Sequence, residues 1–169
     1  MHRPDGGNKM KLTMKKLETW GACGVGKEWF EAQPETDGKK IIETLIAGKQ
    51  INWANWLIVR LLKRADKIRY AIYAAEQVID IYERKYPDDK RPRQAIEAAK
   101  TYLNNPTKAN KRAAAANAAA ANAAADAAAD AAAAAAANAA AATAYAAAAA
   151  YAAYAMKEKI IRYGLTLVK

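Results

Sequence analysis

From Met10 onward, apolar residues recur at spacings of three and four, and no stretch of useful length alternates strictly as a half-buried strand would. The pattern predicts an all-α protein: a compact helical bundle with an alanine-rich C-terminal helical hairpin or long helix. Met14, Leu17 and Trp20 mark a short first helix from Thr13 to Trp20, with Gly21 as its stop. Gly24 and Gly26 are expected to break the chain before Lys27 to Gln33, where Trp29 and Phe30 anchor a turn or two that Pro34 ends. Thr36 or Asp37 can cap a helix carrying Ile41, Ile42, Leu45 and Ile46, and Gly48 falls where a left-handed residue usually closes a helix. Trp53, Trp56, Leu57, Ile58, Val59, Leu61 and Leu62 then form a helix apolar nearly all round, which should be central to the core.

The clearest amphipathic pattern lies between Ala65 and Tyr86. Ile68, Ala71, Ile72, Ala75, Val78, Ile79, Tyr82 and Tyr86 predict one long helix with a single buried stripe. Pro87 stops it, and residues 88 to 93 form a charged turn before Gln94 to Leu103, which should bury Ala95, Ile96, Ala99, Tyr102 and Leu103. Asn105 is positioned to cap a further helix with Pro106 in its first turn, where no backbone donor is needed.

Residues 113 to 155 depart from this texture, because 34 of these 43 positions are alanine and none is Gly or Pro. Alanine is the best helix former, so the tract reads as helix, but uniform composition hides its turns. Unbroken from Pro106 to Tyr163 it would run about 85 Å, far beyond the diameter of a domain this size. A break is therefore expected, and Asp130 and Asn138 flank the best place for it. Alanine faces approach closely, which suits a tight hairpin or a self-associating bundle, so a homo-oligomer is expected. Three regions follow: a mobile leader over 1–9, a helical core region over 10–104, and an alanine-rich helical region over 105–169 packed on the core or on a second subunit.

Composition narrows the class. Cys23 is the single cysteine and cannot pair within its own chain, which favours a reducing, cytoplasmic compartment. The alanine tract is long enough to span a bilayer but carries Asn117, Asn122, Asp126, Asp130 and Asn138, which hydrocarbon would penalise, so no membrane partner is expected. Net charge is +10, and residues 1 to 112 hold 23 Lys and Arg against 14 Asp and Glu. That surplus points to an acidic protein surface, a nucleotide or a nucleic acid as partner, or simply to solvated lysines.

Little here supports catalysis. The only histidine is His2, in the leader, which removes His-based triads and most acid-base designs, so no catalytic residue, cofactor or metal site is assigned. Gly21, Gly24 and Gly26 with Lys27 fit neither the P-loop nor the dinucleotide fingerprint. Asp88 and Asp89 lie beside Lys90, Arg91 and Arg93, which makes them a salt-bridged corner rather than a metal site. Arg91 and Arg93 could instead fork onto a partner's carboxylate or phosphate. Arg69, Tyr70 and Tyr73 fall outside the buried stripe, and basic residues with aromatics suit a recognition surface. These five residues are the candidate partner-binding set.

The blocks Trp53-Ala54-Asn55-Trp56-Leu57-Ile58, Ile68 to Glu76, Tyr86 to Arg93 and Ala95 to Ala99, in that order, resemble the alanine-rich immunity proteins of bacteria and phages. The resemblance implies a small helical protein of toxin, defence or anti-defence conflict in a bacterial host cell. It implies neutralisation of a toxin or host effector by protein contact and supplies no catalytic residue. Sequestration of an anionic nucleotide signal or nucleic acid by a basic helical surface is the alternative.

Overall fold

The computed structural model describes residues 10–117 and 143–169, without the side chains of 143–152. Every regular element among the described residues is an α-helix, and the β pairing among them is an isolated antiparallel bridge between Lys11 and Asp37. The helices are α1 (Met14–Thr19), α2 (Gly24–Glu31), α3 (Gly38–Ala47), α4 (Ile51–Leu61), α5 (Arg64–Glu76), α6 (Ile79–Lys85), α7 (Arg91–Asn104), α8 (108–117, where the first described stretch ends) and α9 (Thr143–Leu167). The all-α expectation is met. The leader, the hairpin-or-long-helix question and the break between Asp130 and Asn138 lie outside the described residues.

The chain divides into two compact units, one of Met1–Lys63 with Lys157–Lys169 and the other of Arg64–Met156. The change of composition after residue 104 falls inside the second unit. Charge is unevenly shared between them. The first unit carries 15 Lys and Arg against 8 Asp and Glu, the second 12 against 9, so most of the positive surplus belongs to the first.

In the first unit, the Thr13 hydroxyl caps α1 by accepting from the Lys16 N–H at 3.3 Å, and Asp37 caps α3 by accepting from Lys40 N–H at 3.1 Å. Gly24 and Gly26 lie within the first turn of α2 rather than before it, so that helix begins three residues earlier than the glycines suggested. The left-handed residue after α3 is Lys49, with φ 59°, while Gly48 keeps a negative φ as its C-cap. The α3–α4 pair makes the heart of the unit: Ile42, Ala54 and Ile58 are wholly buried, with Ile41, Leu45 and Leu57 nearly so. Each Ile or Leu among them contributes about 1.5–3 kcal/mol by leaving water. Residues 10–12 run beside 36–38, where Leu12 N–H donates to the Thr36 carbonyl at 2.7 Å and Gly38 N–H to that of Met10 at 2.9 Å. Ile161 and Val168, near the end of α9, are buried as well.

The second unit differs from expectation in one way that matters. The stripe from Ala65 to Tyr86 does not sit on one helix: α5 ends at Glu76 and α6 starts at Ile79. Val78 N–H donates to Ala75 and Ile81 N–H to Val78, three-residue bonds that tighten the chain at the junction. Val78 itself takes φ −122° and ψ −10°. Neither Gly nor Pro marks the spot. Farther on, Thr107 rather than Asn105 caps α8, its hydroxyl accepting from Asn110 N–H at 3.1 Å.

Candidate functional site

Among its described residues the second unit buries few apolar side chains. Its buried apolar side chains among the described residues are Tyr70, Ile79 and Ile96, whereas the first unit buries fifteen. The predicted stripe is where the shortfall lies. Ile68, Ile72 and Ala75 are only half-buried and Val78 is 44% exposed, so this face is partly open rather than sealed.

Between α5 and α7 the open face becomes a groove of about 750 Å³. Ile68, Ile72 and Ala75 line it from α5, Ile96 and Ala99 from α7, and Lys67 and Lys111 contribute its basic side chains. Small residues account for its depth, because alanine on facing helices leaves room that a longer side chain would fill. Lys100 fastens the two helices by bridging Glu76 of α5 and Glu97 of α7, each at 2.8 Å. That shared partner holds the Lys100 ammonium above its ordinary pKa, Glu76 first and Glu97 second.

The candidate partner-binding residues divide between burial and internal pairing. Tyr70 is buried, and desolvation pushes its phenol up to about 12, so it belongs to the packing of α5 rather than to an open surface. Arg69 pairs with Asp66 one turn earlier at 2.8 Å. Tyr73, half-buried on α5, offers its carbonyl to the Gln77 side chain and backbone N–H.

Arg91 and Arg93 are both held by carboxylates of their own chain. Arg91 forks onto Asp89, Nε to Oδ1 at 2.9 Å and Nη2 to Oδ2 at 2.8 Å. Tyr82 O–H donates to the same carboxylate at 2.8 Å. Arg91 first, then Tyr82, hold the Asp89 carboxyl far below the usual range, while the accepted phenol proton raises Tyr82. Arg93 forks onto Glu83 and reaches Asp80 at 3.3 Å, which ties the start of α7 to α6. Of the salt-bridged corner read from the sequence, the structure shows the Asp89–Arg91 pair, while Arg93 turns to Glu83 and Asp80 instead of the aspartates beside it. Among the described residues no cluster of three or more His, Cys, Asp and Glu could hold a metal. Nor is any helix there long and apolar enough to cross a membrane.

Sequence reasoning missed the groove because it took periodicity as proof of burial. The available signal was the size of the stripe: Ile68 and Ile72 are interspersed with Ala71 and Ala75 on α5, and Ile96 stands between Ala95 and Ala99 on α7, which packs two helices closely without filling the space between them. Comparison with known proteins bears on this half of the chain. The pattern of a family described as Imm-5 like putative immunity protein matches residues 58–165, which includes all of the second unit and a few residues of the first on either side. No curated protein and no solved structure matches the chain.

Proposed function

The chain belongs to the Imm-5 like immunity protein family, and from that premise we propose that it neutralises a toxin by seating an apolar segment of it in the groove between α5 and α7. The observation that carries this reading is the groove's apolar lining, which is only half-buried among the described residues. A stripe of Ile68, Ile72 and Ala75 that is only half-buried among the described residues lacks part of the stabilisation burial would give, and a partner's apolar residues supply it. Lys67 and Lys111 favour a segment whose apolar residues are flanked by Asp or Glu. Arg69, Tyr73, Arg91 and Arg93 belong to the same reading as charged and aromatic contacts around the anchor. Inhibition by occlusion needs no catalytic group on this side.

The test is neutralisation. Proteins captured on the tagged chain are expressed alone in a bacterial host, and those that arrest growth are co-expressed with the wild-type chain or with Ile72→Asp. Growth restored by the wild type and not by the folded variant supports the groove. Equal rescue by both variants, or a captured set without any growth-arresting protein, overturns it.

A further inference from the structure

The residues that precede the family match have a cavity of their own. It measures about 340 Å³ and is lined entirely by residues between Leu12 and Leu57, in the first unit. That volume lies at the lower end of the range in which proteins bind small molecules. Four aromatic side chains line it, Trp29, Phe30, Trp53 and Trp56, beside aliphatic residues of α1, α3 and α4. Trp29 and Trp53 meet edge to face, with centroids 6.2 Å apart and planes at 65°, which leaves each indole half-buried rather than stacked away. Trp56 is held by Arg60, whose guanidinium carbon lies 3.7 Å from the ring centroid.

Two features narrow the ligand. Among the described residues no charged side chain lines the cavity, and Asn52 brings an amide with both a donor and an acceptor. The unit around it carries 15 Lys and Arg against 8 Asp and Glu, which disfavours a cation. Gly26 keeps the wall open on the side of Cys23: a Cβ there would come within 3.3 Å of the Cys23 Sγ. We propose that this cavity binds a small planar aromatic molecule of one or two fused rings, uncharged or anionic, with its polar group on Asn52. Aromatic walls set edge to face recognise a flat ring by both dispersion and quadrupole, which an aliphatic ligand of equal size cannot exploit.

The full chain is titrated against 5-fluoroindole and binding is read from its fluorine NMR line width. Saturable broadening with a dissociation constant below about 1 mM is expected, since a ligand of so few atoms gains little more. Indole should displace the probe, cyclohexanol should not, and tryptamine should compete roughly ten-fold less well than indole because of its ammonium. Ala22→Trp, which fills the cavity, and Asn52→Leu, at an exposed rim position, should each weaken binding by about five-fold or more, with Ile81→Ser on α6 unaffected. If Ala22→Trp does not fold by circular dichroism, Asn52→Leu decides. The proposal is overturned by unsaturable broadening, by cyclohexanol displacing as well as indole, or by unchanged affinity in the folded cavity variants.

Discussion

The Arg60 guanidinium lies over the Trp56 ring, 3.7 Å from its centroid, and from there forks onto the backbone carbonyl of Trp20, Nε at 3.3 Å and Nη2 at 3.2 Å. Its third nitrogen donates to the Trp56 carbonyl at 3.1 Å. One side chain thus closes the end of α1 against α4, forty residues away. Arg60→Met keeps the stem but loses the fork, and is expected to destabilise the chain by about 1–3 kcal/mol. Arg60→Lys should recover only part, because an ammonium cannot present paired donors in a plane. Urea unfolding followed by tryptophan fluorescence measures both, and an unchanged midpoint in Arg60→Met would show that the clamp contributes nothing.

Gly38 is expected to resist substitution even by alanine. It opens α3, where alanine has the better helix propensity by about 1 kcal/mol. Against that, a Cβ there would stand 2.9 Å from Leu61 Cδ1 and 3.1 Å from the Met10 carbonyl oxygen. Leu61 can turn away, but Met10 is backbone and is held by the Gly38 N–H at 2.9 Å. Sterics should win, at a net cost of about 1–3 kcal/mol. A lower urea midpoint at unchanged slope is the expected reading, and a raised midpoint would show that the segment 10–12 beside 36–38 yields freely.

Acid should weaken the first unit through Glu35. Its carboxylate accepts from the backbone N–H groups of Asp37 and Thr36, each at 2.8 Å, and pairs with Lys40 at 3.0 Å. These contacts, Asp37 foremost, lower its pKa from 4.5 to about 2. A group depressed on folding binds fewer protons folded than unfolded, so its contribution is complete above pH 4.5 and drains away as the pH falls toward 2. Glu35→Gln should lower the melting temperature at pH 7 and flatten its decline across that window. A decline as steep in the variant as in the wild type would assign the acid response elsewhere.

Arg93→Glu should loosen α7 from α6, since the new carboxylate would face Glu83 and Asp80 in place of the cation that now bridges them. The pairing holds Glu83 below its ordinary pKa, chiefly through Arg93. The pair is solvent-accessible, so high salt should restore much of the lost stability, and Glu83→Arg in the same chain should restore more. A second substitution without effect would mean that the two residues do not act as a pair.

Helix type was legible throughout the described residues, because three- and four-residue spacing survives wherever large apolar residues punctuate polar ones. Boundaries were legible where a side chain caps or a proline stops: Asp37 before α3, and Pro87 after α6. They were not where tertiary packing chose. Gly24 and Gly26 entered α2 because a first turn tolerates glycine when neighbouring residues pack, and the α5–α6 junction formed at Val78, a residue with no turn signature. The candidate site was least legible for the same kind of reason. Spacing tells which residues share a face, and Ile68, Ile72 and Ala75 do share one. It does not tell whether the unit owns enough side-chain volume to cover that face.

That distinction can be measured at Ile72. Were the stripe sealed, an aspartate there would bury an unpaired charge and unfold the unit. Because Ile72 is half-buried on an open groove, Ile72→Asp should cost only about 1–2 kcal/mol, well below the about 2–5 kcal/mol of Ile58→Ala in the wholly buried α3–α4 heart. The folded variant should nevertheless lose its partner, since a carboxylate in the groove must be desolvated when an apolar segment enters. Sedimentation of wild type and variant at several concentrations adds a second reading. If Ile72→Asp folds, still neutralises the toxin, and turns a self-associating chain into a monomer, the groove receives the alanine-rich helix of a second copy instead of a toxin segment. If it unfolds outright, the groove is closed in solution, and the binding surface must be sought among Arg69, Tyr73, Arg91 and Arg93.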